Sequence, residues 1–169
     1  MIMRKKKRKK KSKKITYEFA PDLQSIAETI SKIMFPWVDI SRIKCYRSYG
    51  SSSRGTIARC HALGKLMQMA LGVPAFYPLE FISERFDKLN DEEKIKIIIH
   101  ELMHIPKTFG GGFRHHDFVC DKNIDKFYKL YKMKKLDSSS DFKLPKSFQV
   151  SESKESTKVF DDKKKDWFS

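Results

Sequence analysis

Apolar residues recur at helical spacing in three stretches of the chain. Residues 21–35 carry them between a proline that suits a first helical turn and Pro36, which cannot continue a helix. Residues 92–106 are apolar on nearly every side and end at a proline, so we expect a buried helix there. A third helix is predicted over residues 118–133, and its apolar side should pack against the second.

Three shorter stretches are rich in residues that favour strands. Residues 43–49 alternate polar and apolar side chains, and residues 56–63 follow a serine-rich loop, so a hairpin of the two is expected. Residues 74–82 are apolar and β-prone, but Pro78 indicates an edge strand, because proline cannot donate a ladder hydrogen bond. A short helix over residues 64–71, ended by a glycine, is predicted before that strand.

The apolar second helix contains the pattern H-E-x-x-H. Residues four apart lie on one helical face, so His100 and His104 can both reach one metal ion. Glu101 lies beside them, where a carboxylate can serve as general base toward a water on that metal. Asn90 and Glu93 predict a capping box at the start of the helix. The alternative is two core histidines, each with its own buried hydrogen-bond partner, beside a surface glutamate.

A third metal ligand is expected after the helix. Three glycines at residues 110–112 predict a flexible turn that can bring the chain back over the metal. His115 and His116 follow, and because side chains of sequence neighbours point in different directions, only one of them is expected to bind. Cys120 is a rival ligand if its segment is helical, and a thiolate would indicate a structural site more than a catalytic one.

Two stretches of sequence carry a family resemblance: residues 100–106 read HELMHIP, and residues 111–116 read GGFRHH. They resemble the small predicted metallopeptidases of archaea and phages, in which HEL-x-HIP is followed by G-G-x-R-x-H. The likeness extends over roughly residues 41–131. More loosely, the chain is similar to minimal zincins, including SprT-like proteases, and it lacks the H-x-x-G-x-x-H continuation of metzincins. In this alignment His116 is the third ligand and His115 occupies the variable position.

The resemblance implies an α+β fold, a minimal zincin-like domain whose small, mainly antiparallel sheet packs on the H-E-x-x-H helix. It implies that His100, His104 and His116 bind Zn²⁺ while a water completes the site, and that Glu101 is the catalytic general base. The implied function is a zinc-dependent metallopeptidase that hydrolyses peptide or protein substrates. The edge strand predicted at residues 74–82 would hold an extended substrate by strand addition.

Positive charge is concentrated at one end of the 169-residue chain, whose formal net charge is +15. Residues 1–14 hold ten of the 36 Lys and Arg and no acidic residue, so the rest of the chain carries only +5. We predict a disordered polybasic tail over residues 1–14, the zincin-like domain over residues 15–136 and a flexible polar tail over residues 137–169. The basic tail either attracts nucleic-acid phosphates or only aids solubility, and no aromatic residue lies among its lysines to stack on bases.

A rival hypothesis follows from that charge. The protein would be a nucleic-acid-binding module without peptidase activity, in which zinc is structural and the basic tail contacts phosphates. A closed four-ligand site completed by Cys120 would favour this hypothesis over the enzyme.

Cysteine usage and hydropathy indicate the compartment. The three cysteines are scattered and odd in number, which favours reduced thiols in a cytoplasmic protein. No apolar segment follows the basic stretch, so no secretory signal is expected. No run approaches the ~18 apolar residues that a membrane span needs, so no membrane partner is expected.

Overall fold

The computed structural model describes residues 14–136, which form four strands and five α-helices. In chain order these are β1 (Thr16–Phe19), α1 (Pro21–Met34), β2 (Ile43–Tyr49), β3 (Ala58–Cys60), α2 (Lys65–Leu71), β4 (Tyr77–Ile82), α3 (Ser83–Phe86), α4 (Asp91–Met103) and α5 (Asp121–Leu136). The predictions made for residues 1–13 and 137–169 lie outside the described residues.

The strands form one mixed sheet in the order β1-β2-β4-β3. The two outer pairings, β1 with β2 and β3 with β4, are antiparallel, whereas the central strands β2 and β4 run parallel. With helices packed against this small sheet, the predicted α+β class is confirmed. No helix within residues 14–136 is long and apolar enough to cross a membrane.

The strand order overturns two predictions. The hairpin of β2 with β3 is wrong because β4 lies between them, and β4 is a central strand, not the predicted edge. Its central position follows from its side chains, since Tyr77, Leu79 and Phe81 are fully buried. Pro78 is tolerated there because the N–H it lacks would point toward the chain just past the end of β3, so the ladder loses a hydrogen bond only at its end. The Pro78 carbonyl lies on the same side and accepts a hydrogen bond from the His61 N–H at 2.8 Å.

The helices agree more closely with the sequence pattern. α1 covers the stretch predicted at residues 21–35, and α4 covers most of residues 92–106. α5 begins at Asp121, three residues later than predicted, and contacts α4 as expected. α1 contacts β2 and α4 contacts β3, so both cover the face of the sheet that carries the buried side chains of β4.

One buried side chain completes the sheet where β1 ends. β1 pairs with β2 only as far as Tyr46, which leaves the backbone of Ile43 and Cys45 beyond the end of β1. Gln24 on α1 is buried, and its amide donates to the Ile43 carbonyl at 3.2 Å while its oxygen accepts from the Cys45 N–H at 2.9 Å. The Gln24 side chain therefore substitutes for two strand hydrogen bonds and fixes α1 to the sheet.

We predict that Gln24→Leu lowers the free energy of unfolding by about 2 kcal/mol or more, because it leaves a buried N–H and a buried carbonyl without partners. Urea unfolding followed by circular dichroism measures this loss. Thr29→Leu, at an exposed position of the same helix, is the matched control and should change stability little. Equal stability of the two variants would contradict the assigned role of Gln24.

Candidate metal centre

The helix that carries the H-E-x-x-H pattern begins with the predicted capping box. The Asn90 side chain accepts from the Glu93 N–H at 2.9 Å, and the Glu93 carboxylate accepts from the Asn90 N–H at 3.2 Å. The last two turns of α4 are buried on nearly every side, so His100 and Glu101 are each only 3 % exposed. The helix thus holds an imidazole and a carboxyl group out of water.

Three imidazoles converge at the end of α4. The ligand atoms of His100, His104 and His116 all lie within 4.8 Å of one another. His100 and His104 are one helical turn apart, and their Nε2 atoms are 3.1 Å apart. His116 joins them from the loop after α4. The centre of its ring lies 5.1 Å from the ring centre of His104 and 6.0 Å from the ring centre of His100.

The main chain of Arg114 fixes the orientation of His104. The Arg114 N–H donates to the His104 carbonyl at 2.7 Å, and the Arg114 carbonyl lies 2.9 Å from His104 Nδ1. Because a carbonyl can only accept, Nδ1 carries the proton, and the neutral ring presents the Nε2 lone pair to the cluster. This hydrogen bond is the type that commonly orients metal-binding histidines.

The glycine loop before His116 is held by hydrogen bonds. The Tyr77 hydroxyl accepts from the Gly111 N–H at 2.8 Å and donates to the Gly112 carbonyl at 3.0 Å. Gln68 on α2 donates to the Gly110 carbonyl at 3.0 Å. Gly111 has a φ of +92°, and a Cβ there would collide with Gln68 Nε2 and lie 2.5 Å from the backbone carbonyl oxygen of Leu63. The turn predicted to be flexible is therefore held in place by hydrogen bonds. Position 111 requires a glycine, because its φ is positive and because the neighbouring atoms leave no room for a Cβ.

The other candidate ligands lie outside the cluster. Among residues 14–136, the group that can hold a metal consists of His100, His104 and His116. His115 lines the same cavity, but its imidazole does not join the group. The carbonyl of Cys120 accepts from the Asn123 N–H at the start of α5, and its thiol does not join the group either.

A cavity of about 410 Å³ opens over the three imidazoles. The Glu101 carboxyl group lies on this cavity and accepts a hydrogen bond from the backbone N–H of Cys60 in β3. Residues 58–61 form one wall, and residues 113–116 form another. The edge strand beside the site is therefore β3, whereas the sequence predicted that residues 74–82 would take this position.

Burial controls the protonation of the site. Burial, followed by the neighbouring His104 and His116, lowers the pKa of His100 to about 3, and burial also lowers the pKa of His104. Burial raises the pKa of Glu101 to about 8, although the Cys60 N–H opposes the shift. The two helix histidines are thus neutral at pH 7, which is the form that binds a metal.

Three features of the site were missed by the sequence analysis. The Arg114 carbonyl and the Cys60 N–H are main-chain groups, so their hydrogen bonds cannot be predicted from the type of residue at these positions. The third is a hydrogen-bond contact between two residues of the neighbouring chain segments, with His61 Nε2 2.8 Å from the Glu80 carboxylate. A buried glutamate within the apolar strand at residues 77–82 is the signal that predicts such a partner.

A metal ion fits this donor set, because three convergent imidazoles are typical ligands of transition metals in proteins. No curated protein and no solved structure matches the chain. A family model described as "Putative phage metallopeptidase" matches residues 15–137, a span that includes every residue of the site. By this match over most of its length, the chain belongs to the phage metallopeptidase family.

Proposed function

We propose that the protein is a zinc-dependent metallopeptidase that hydrolyses peptide bonds in peptide or protein substrates. The observation that carries the proposal is the convergence of three imidazoles on one cavity with the buried carboxyl group of Glu101. His100, His104 and His116 would hold Zn²⁺ through three protein ligands, the number typical of catalytic zinc sites with an open fourth position. Bound zinc supplies Lewis-acid polarisation of a carbonyl and lowers the pKa of water from ~16 toward ~7.

Glu101 is the proposed general base. In its ionised form, which a bound metal cation would favour, the Glu101 carboxylate takes the proton from the attacking water and passes it to the leaving amine. The Cys60 N–H fixes one side of the carboxyl group, and burial raises its proton affinity, as the pKa of about 8 indicates. A carboxylate in this environment binds a proton more readily than an exposed carboxylate does. This proton affinity suits a group that first accepts a proton from water and then donates it to the leaving amine.

The edge strand β3 is the proposed substrate-binding strand. Its pairing with β4 uses main-chain groups of odd-numbered residues such as Ile57 and His61, so those of Ala58 and Cys60 point away from the sheet. The Cys60 N–H donates to Glu101, so a substrate would pair with the other outward-pointing groups of this edge. An extended peptide can add to this edge beside the cavity and present its backbone to Glu101.

The rival function, a zinc-stabilised nucleic-acid-binding module without peptidase activity, is less well supported. It calls for a closed zinc site completed by Cys120, and the Cys120 thiol lies outside the metal-binding cluster of the described residues. The polybasic segment at residues 1–14 is compatible with either function, since a peptidase can also bind nucleic acid.

The ligand assignment is tested by zinc affinity. We expect His100→Ala and His116→Ala to weaken zinc binding by more than the ~10–100-fold that loss of an orienting partner costs, because each removes a direct ligand. His115→Ala and Cys120→Ala should bind zinc as the wild type does, and they serve as neighbouring controls. Competition with a chromophoric chelator measures the affinities. Weak binding by His115→Ala together with normal binding by His116→Ala would overturn the assignment.

The base assignment is tested by Glu101→Gln, which keeps the shape of the side chain and removes its basicity. We expect hydrolysis of an unfolded protein substrate to fall by ~10²–10⁴ while zinc content is unchanged. Glu92→Gln, in the exposed first turn of the same helix, is the matched control and should retain activity. Equal rates for wild type and Glu101→Gln would exclude Glu101 as the base. Absence of cleavage by the zinc-loaded wild type across a broad peptide library would favour the binding module.

The raised pKa of Glu101 also predicts how the metal-free protein responds to pH. The folded carboxyl group keeps its proton up to pH about 8, whereas the unfolded one releases it above its ordinary value of 4.5. The folded state therefore binds the extra proton, and stability falls as pH rises, by at most ~1.4 kcal/mol per pH unit between pH 7 and 8. Urea unfolding with a chelator present should show this decline in the wild type and lose it in Glu101→Gln. A decline of the same size in both proteins would contradict the assignment.

A further inference from the structure

The short helix α2, which contacts the glycine loop, turns its apolar side chains toward solvent. Leu66 is 78 % exposed and Met69 is 70 % exposed, whereas the buried residue of this helix is the polar Gln68. This arrangement is the reverse of an ordinary surface helix, which buries its apolar side. We call this surface the α2 face and define it by its exposed apolar residues, which are Leu66, Met67, Met69, Leu71 and Val73.

The side chain of Gln68 holds the helix in this orientation. Its amide donates to the Leu63 carbonyl at 2.6 Å and to the Gly110 carbonyl at 3.0 Å. The next loop residue, Gly111, passes so close that a Cβ there would collide with Gln68. The helix is therefore anchored through its polar side to the loop that carries His116, and its apolar side remains in water, which is unfavourable unless a ligand covers it.

The open edge of β3 leads toward the α2 face. Beyond the end of β3 at Cys60, the His61 N–H donates to the Pro78 carbonyl at 2.8 Å. The Leu63 N–H then donates to the Phe76 carbonyl at 2.9 Å, so the chain stays beside the sheet for three more residues. The helix α2 begins two residues later. A peptide strand that adds to this edge and runs in that direction from the metal cavity therefore arrives at the α2 face.

The wall of the metal cavity has an exposed apolar group of its own. Phe113 lines the cavity and is 47 % exposed, and its ring lies edge-to-face against the buried Tyr77 ring. Phe113 comes only two residues after Gly111, which packs against Gln68. One loop thus contacts α2 at one point and lines the metal cavity at the next, so a single extended chain can reach both.

The chemistry of the α2 face favours an apolar polypeptide as its ligand. Lys65 begins the helix, and residues 66–79 after it contain no charged side chain. Nucleic acids and anionic membranes bind to clusters of basic residues, which this surface lacks. Methionine side chains are flexible and adapt to apolar partners of varied shape. A helix of seven residues is only about 10 Å long, which is too short to supply the ~800 Å² per partner of a stable dimer.

We propose that the α2 face is a second binding site for the substrate, which takes an apolar segment several residues away from the cleavage site. The scissile bond occupies the metal cavity, the adjoining residues extend along β3, and the apolar segment contacts Leu66 and Met69. Folded proteins bury most such segments and unfolded chains expose them, so the substrate class is unfolded polypeptide. This inference rests on the proposed peptidase function and adds to it the class of substrate.

The first test uses pairs of peptides that share one cleavage site, taken from an unfolded protein that the enzyme hydrolyses. The two members of a pair differ only in a distal segment, which is apolar in one and polar in the other. We expect zinc-loaded full-length protein to have a kcat/KM about tenfold higher for the apolar member, mainly through KM. The preference should appear with the segment on one side of the cleavage site only, because a chain leaves the cavity toward α2 in one direction.

The second test removes the apolar surface. The double variant Leu66→Gln, Met69→Gln changes two positions on one side of the helix and keeps a good helix former at each. The ratio of kcat/KM between the apolar and the polar peptide should fall to about one in this variant. Met133→Gln, at an exposed methionine of α5, is the matched control and should keep the wild-type ratio. Zinc content and thermal unfolding verify that each variant is folded.

A third test needs no substitution in the α2 face and no cleavage. Zinc-loaded Glu101→Gln protein is mixed with the apolar peptide carrying a photoreactive diazirine in its distal segment. After irradiation, the crosslinked fragments of the protein should contain residues 65–73. Crosslinks found only elsewhere in the chain would overturn the proposal even if the double variant failed to fold.

The outcomes separate this inference from the proposed function. Wild-type protein that cleaves no peptide would refute the peptidase function and this inference with it. Cleavage at equal kcat/KM for both members of each pair, or an apolar preference that the double variant retains, would overturn the role of the α2 face alone. With equal cleavage, dimerisation or binding to neutral lipid vesicles that the double variant abolishes would identify a second copy of the chain or a membrane as the ligand instead.

Discussion

The structure depends on the burial of a carboxyl group and an imidazole in the last turns of an apolar helix. Water is excluded from Glu101 and His100, so desolvation drives both toward their neutral forms. A buried polar group is tolerated only if the surrounding structure supplies partners. β3 supplies the Cys60 N–H to Glu101, and the loop after α4 brings His116 toward His100. The position of the edge strand and the path of the loop both serve this requirement.

The mixed sheet follows from where apolar surface is available. β4 is the strand with the most buried side chains, and it occupies the centre, with α1 and α4 over it. That leaves the short strand β3 at the edge, beside the end of α4. The other edge, β1, lies far from the metal centre in the strand order and carries exposed aromatic residues. One sheet thus offers two distinct surfaces, and His61 borders the cavity on each of them.

The sequence predicted the features whose cause is local. Helical spacing predicted α1, and the Asn90 capping box and the position of Pro106 predicted the extent of α4. The four-residue spacing of His100 and His104 predicted that they would face one point, and their Nε2 atoms lie 3.1 Å apart. The resemblance singled out His116 over His115 and Cys120, and His116 is the residue that the fold brings to the other two. Its role as a ligand stays a prediction.

The features that were not predicted depend on residues distant in sequence. The order of β3 and β4 is decided by which strand buries more side chains. Pro78 indicated an edge strand because the sequence alone does not show which neighbouring strand its nitrogen, which has no hydrogen, would face. β1 has only four residues, and its alternation is too short to stand out beside the basic segment. The tether between Tyr77 and the glycine loop joins residues more than thirty positions apart. No local pattern records such a contact.

The pairing of His104 with Arg114 has a consequence for how this site can vary. Both hydrogen bonds use main-chain groups of residue 114, so the orientation of the histidine does not depend on which side chain stands there. What must be kept is the number of residues between the end of the helix and residue 114. One insertion or deletion in that loop would move the carbonyl of residue 114 out of hydrogen-bond distance of the His104 imidazole. In this part of the molecule, the spacing of the chain is under tighter constraint than its composition.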